Sequence, residues 1–154
     1  MYFATRGPAT ARDFAWWSGL TVADARRGAE AARPELARAT VDGADYWYAD
    51  GPAPRRTRTP PAHLLPNYDE HFVGFRDRSA VLQAMGPAAA RWSAAPPRHV
   101  VAVDGQLVGG WKRTLHRSRV DVTLDLLAPL DAARRRAVDD AVARYGVFLG
   151  LPTA

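Results

Sequence analysis

The sequence predicts an α+β protein, with a winged-helix-like N-terminal unit followed by a small antiparallel β sheet packed with a C-terminal helix. Two capped helical stretches, separated by about three residues, precede an Asp42-Gly43 turn. Residues 119–126, RVDVTLDL, alternate polar and apolar without a break, as a half-buried strand does. After Pro129, the residues Val138, Val142, Tyr145 and Leu149 form one stripe at helical spacing.

Thr10 is the expected cap of a helix from Ala11 to about Ser18, with Asp13 at the third position in an imperfect capping box. Phe14, Trp16 and Trp17 give it an aromatic face, and core burial is the expected role of the two tryptophans, ahead of stacking on a base. Gly19 ends this helix. Thr21 caps the next, from Val22 to about Ala32, with Pro34 beyond it. LARATVDGADYWYA then reads as a hairpin. Helix, short turn, helix, hairpin is the order of a winged helix. Only MYFATRGPA precedes the pair, so the unit is expected to lack its first helix or to borrow one. These residues, 1–50, form the first predicted domain.

Residues 51–62 read as a linker rich in Pro and Arg. Residues 63–154 form the second predicted domain, α+β in class. Within it, Ser79–Met85 reads as a short helix and residues 86–98 as a loop. Three strands follow, with an Asp104-Gly105 turn between the first two, and then a helix from Asp131 to about Gly150.

The composition narrows the function. A hydrophobic fraction of 47% is enough for a real core. No apolar run is long enough to span a membrane, and the start lacks the apolar core of a signal peptide. The absence of cysteine excludes disulfides and thiolate metal sites, and fits the cytoplasm. His63, His71, His99 and His116 lack ligand spacing, so no metal site is expected. The net charge is +5, and Lys112 is the only lysine. Residues 1–50 carry six Arg against seven acids, whereas residues 51–100 carry seven Arg against three. Any field for a nucleic acid therefore comes from the middle and end of the chain.

The densest mixture of charge and apolar residues is LLPNYDEHFVGFRDRS at 64–79. Buried charge needs partners, so the run reads as a structured junction or a site. Asp69, Glu70 and His71 are its candidate catalytic groups, side chains able to act in acid–base chemistry or as hydrogen-bonding spacers. Adjacent carboxylates in extended chain point to opposite sides, however, so ion pairing of Asp69 and Glu70 with Arg76 or Arg78 is the preferred reading.

YFATRGPATARDFAWWSGLT, the hairpin at VDG, LLPNYDEHFVGFRDRS, VVAVDGQLVGGWKRT and FLG together resemble the C-terminal portion of the winged-helix alkylpurine and crosslink DNA glycosylase superfamily. The resemblance covers nearly the whole chain. It implies double-stranded DNA as partner, no cofactor, and a longer protein with tandem winged helices. Its catalytic element is Gln, one residue, then Gln or Asp. Neither Gln83-Ala84-Met85 nor Gln106-Leu107-Val108 matches it, so no catalytic residue carries over. The resemblance makes Arg55, Arg56 and Arg58 of the linker, Arg76 and Arg78 of the junction, and Lys112, Arg113 and Arg117 after the hairpin the candidates for phosphate contact.

The expected function is that of a winged-helix-derived DNA-binding protein related to these glycosylases, without the catalytic motif and not active alone. One alternative is a glycosylase, or part of a split one completed by a partner that carries the upstream winged helices. Another is a non-enzymatic dimer that binds proteins or small molecules, in which a homodimer buries an apolar face.

Overall fold

Thr10 and Thr21 start helices where the sequence places caps, and the rest of the N-terminal architecture builds around them. The computed structural model describes residues 1–51, 61–93 and 99–154. The chain divides into two compact units, Met1–Arg56 with Glu70–Asp77, and Thr57–Asp69 with Arg78–Ala154. The stretch Glu70–Asp77 packs with the N-terminal residues.

In the first unit, helix α1 (Tyr2–Arg6) and strand β1 (Ala9–Thr10) lead into α2 (Ala11–Ser18) and α3 (Val22–Ala31). A five-residue helix, α1, thus precedes the pair in a stretch where the sequence predicted none. Both halves of the box at Thr10 form: the Asp13 N–H donates to the Thr10 side chain, and the Asp13 carboxylate accepts from the Thr10 N–H. Losing such a cap costs about 0.5–2 kcal/mol. Gly19, at φ 74°, ends α2 in the left-handed conformation.

Strands β2 (Leu36–Val41) and β3 (Ala44–Ala49) form the hairpin, and β1 pairs with β3, giving the sheet order β1-β3-β2. Asp42 and Gly43 both take positive φ, as a two-residue hairpin turn requires. Helix α4 (Glu70–Val73) completes the unit. Its core is aromatic: Tyr2, Phe3 and Trp47 are buried with Ala9 and Ala29, and Phe14, Leu36 and Phe75 pack against them. Gly7 lets the chain pass close to β3, since a Cβ there would lie 2.7 Å from the Tyr48 Cα.

The second unit holds a four-stranded antiparallel sheet rather than the three strands expected. Its order is that of the chain: β4 (Ala62–Leu65), β5 (Val100–Val103), β6 (Gln106–Leu115) and β7 (Val120–Leu126). The added strand begins at Ala62, inside the stretch read as linker. Its four residues are too few to show a period. Helix α5 (Ser79–Leu82) and a 3-10 turn follow the expectation for Ser79–Met85, whereas α6 (Ala88–Ser93) occupies part of the predicted loop.

Helix α7 (Ala132–Leu149) has Asp131 as its cap and Gly150 at its end. It lays Ala137, Val138 and Ala141 on a core with Val101, Val103, Val108 and Trp111, joined by Tyr145 at its edge. Arg144 of α7 donates to the Ala62 carbonyl at 2.7 Å and ties the helix to β4. Beyond α7 the chain folds back along β7, where the Val120 N–H donates to Pro152 O and the Ala154 N–H to Val120 O. No helix among the described residues is long and apolar enough to cross a membrane.

Candidate nucleic-acid interface

Asp13 is the only buried charged side chain among the described residues, at 4% exposure. Its two oxygens have different tasks. Oδ2 accepts from the Thr10 N–H at 2.9 Å and the Thr10 hydroxyl at 2.7 Å, which closes the helix cap. Oδ1 accepts from the backbone N–H of Arg76 at 2.9 Å and of Asp77 at 3.2 Å. One carboxylate thus starts α2 and anchors the stretch after α4. The sequence shows the first role but not the second, which spans more than 60 residues.

The same stretch is held at three further points. The Tyr2 hydroxyl donates to Gly74 O at 3.0 Å, and the Trp16 indole N–H donates to Val73 O at 2.9 Å. Burial, and then the nearby Asp13 charge, hold the Tyr2 phenol well above its ordinary pKa. Glu70 pairs with Arg6 at 2.8 Å, a correction to the expected pairing with Arg76 or Arg78. The Arg6 guanidinium also lies 5.4 Å from the centroid of the Trp17 ring.

These anchors overturn the core assignment for two tryptophans. Trp16 and Trp17 remain 49% and 45% exposed, whereas Trp47 and Trp111 are buried. Trp16 borders an open cleft of about 940 Å³, lined also by Arg12, Asp13, Tyr46, Arg76 and Asp77. Arg76 lies over Trp16, its guanidinium carbon 5.6 Å from the ring centroid.

In the second unit four basic residues lie on the β6–β7 hairpin. Lys112, Arg113, Arg117 and Arg119 are all exposed. Lys112 and Arg117 have no carboxylate partner among the described residues. Arg113 differs from them, with its guanidinium carbon 5.9 Å from the Tyr145 ring centroid, so its side chain follows α7. At the base of the loop, Asp121 accepts from Arg119 Nε and meets His116 Nε2, both at 2.8 Å. The hydrogen bond from Arg119, and then that from His116, hold the Asp121 carboxyl below the ordinary range. Trp111 fixes the start of the hairpin by donating its indole N–H to Leu65 O at 2.9 Å.

Arg76 belongs to the first unit and Arg78 to the second, and the same division separates Asp69 from Glu70 and His71. Arg55, Arg56 and Arg58 lie outside the described residues. Gln106 is committed to structure: its Oε1 accepts from the Ala84 N–H and its Nε2 donates to Ala80 O. Among the described residues, no three His, Cys, Asp or Glu side chains gather as a metal ligand set.

The model of a protein family described as DNA glycosylase AlkZ-like matches residues 1–148. Among solved structures, the Streptomyces sahachiroi DNA glycosylase AlkZ is similar, with a TM-score of 0.66 and 24% identity. The match covers 96% of this chain and 42% of that one, so the chain spans less than half the length of the solved protein. No curated protein sequence matches the chain.

Proposed function

The chain belongs to the AlkZ-like DNA glycosylase family, and on that premise we propose that it is a cytoplasmic, winged-helix-derived module that binds duplex DNA and has no excision motif of its own. The observation that carries this reading is the β6–β7 hairpin, where Lys112 and Arg117 are exposed and have no acid to neutralise them among the described residues. Cations placed this way release counterions from the DNA backbone, which is a sequence-independent source of affinity.

The element order α1-β1-α2-α3-β2-β3, with β1 beside β3, supports the winged-helix reading of the first unit. Helix α3 stands where a recognition helix would. Its charge is largely spent: Arg27 pairs with Asp24, and Glu30 lies 3.7 Å from Arg38. That pattern leaves few free side chains on α3 for reading base edges.

Base excision by this chain alone has little support, because Glu70 is paired with Arg6 and no glutamine begins the catalytic triplet. Excision therefore calls for residues beyond these 154.

The test is fluorescence anisotropy with labelled intact, abasic and alkylated duplexes across a salt series. Binding that weakens steeply with salt is expected. The double variant Lys112→Gln/Arg117→Gln should lower the slope of log affinity against log salt by about two. No binding at low salt, or an unchanged slope in the variant, would refute the hairpin reading.

A further inference from the structure

The open cleft of the first unit joins a ring of fixed orientation to two cations. Trp16 is oriented by its hydrogen bond to Val73 O, yet half of its surface stays accessible. Arg12 lies four residues before it on α2, which places the two on one helical face. Arg76 lies over the ring, and its backbone N–H is held by Asp13. Arg12 and Arg76 have no carboxylate partner among the described residues. Asp13 does not compete for them, because its two oxygens already accept from four donors. Tyr46 contributes from β3, and the cleft volume of about 940 Å³ is ample for a ligand of nucleotide size.

We propose that this cleft takes one unpaired nucleotide of a DNA strand, with its base on Trp16 and its phosphate between Arg12 and Arg76. The proposal deepens the DNA-binding reading by naming a second contact, away from the β6–β7 hairpin and different in chemistry. An indole beside guanidinium groups suits a base joined to an anion, since stacking and phosphate pairing then act together. Asp77, also in the lining, weakens the field for a bare phosphate, so the base has to carry much of the affinity. An acidic peptide would meet the arginines but would not use the ring face.

The experiment measures a short labelled single strand and an intact duplex against the wild-type chain, Trp16→Ala, Trp16→Phe and Arg12→Gln. Thermal midpoints accompany each titration. Trp16→Ala should weaken single-strand binding about tenfold or more, and Trp16→Phe by no more than about threefold, because a phenyl ring still stacks. Arg12 is exposed and its replacement leaves the packing intact. Arg12→Gln should weaken single-strand binding severalfold and make it less dependent on salt.

Wild-type affinity for the single strand in both Trp16→Ala and Arg12→Gln would overturn the proposal, as would no single-strand binding by the wild type. Loss in Trp16→Ala alone, with a lowered thermal midpoint and Arg12→Gln unchanged, would also count against it. Single-strand binding that depends on Trp16 and Arg12, with no duplex binding, would sustain the cleft while refuting the hairpin.

Discussion

In the second unit the core is aliphatic and continuous, with Val101, Val103, Val108 and Val138 closing on one another around Trp111. In the first it is aromatic and built from short pieces, with Tyr2, Phe3 and Trp47 meeting across elements as short as five residues. Small branched side chains on a regular sheet fill space without gaps. Large flat rings meet at edges and angles: Tyr2 and Phe3 are 5.3 Å apart at 82°, and Tyr2 and Trp17 are 5.2 Å apart at 40°. Rings packed this way leave some faces uncovered. The first unit thus gains an aromatic cleft and depends on polar anchors, Asp13 above all, to hold its pieces together.

Three substitutions would sharpen or break that contrast. Trp111→Ala should have the largest effect, costing about 3–5 kcal/mol in urea unfolding, because it empties the centre of the aliphatic core. Amide exchange should quicken mainly in residues 61–65 and 99–149. Asp13→Ala comes next, at about 2–4 kcal/mol, since it removes a helix cap and leaves the N–H groups of Arg76 and Asp77 without their acceptor. Its exchange signature should lie in residues 9–18 and 70–77. Uniform acceleration across the chain in either variant would show that the two cores do not fail separately.

The smallest effect belongs to Asp121→Asn. The Asp121 carboxyl is held low by Arg119 and His116, so it adds stability above its unfolded pKa of about 3.9. That increment is lost as the pH falls through the lowered folded value. The variant should therefore show a slightly lower thermal midpoint near neutrality and a flatter decline as the pH falls from about 5 to below about 3. An unchanged acid limb would remove Asp121 from the account of the hairpin.

What the sequence made legible was local. The caps at Thr10, Thr21 and Asp131, the stops at Gly19 and Gly150, and the two Asp-Gly turns each depend on a few neighbouring residues, and they lie where expected. Alternation in β7 and the stripe on α7 were equally readable, because each borders a regular core. Strand β4 was hidden by its length, and α6 by the prolines around it.

The cleft was the least legible part. Whether Trp16 is covered depends on the stretch that meets α2, and residues 70–77 arrive there from a distance of about 60 positions. The pairing of Glu70 failed for a related reason. Arg76 and Arg78 are near it in sequence, yet Arg6 takes the place on the folded surface. Of the basic candidates, the hairpin cations could be found from the turn signal and strand alternation, although the position of Arg113 beside Tyr145 could not.

The return of residues 152–154 along β7 has a consequence for how molecules of this protein meet. β7 is a border of its sheet, and an uncovered border is a template onto which a neighbour's strand can add. The N–H groups of Val120 and Val122 already donate to Pro152 and Ala154. Gly146 gives the returning chain its room, since a Cβ there would lie 2.6 Å from Thr153 Cγ2. The returning residues therefore guard the first part of that border, occupying N–H groups that a strand of another molecule would otherwise use. A side chain at position 146 would lift the guard without touching the strand it protects.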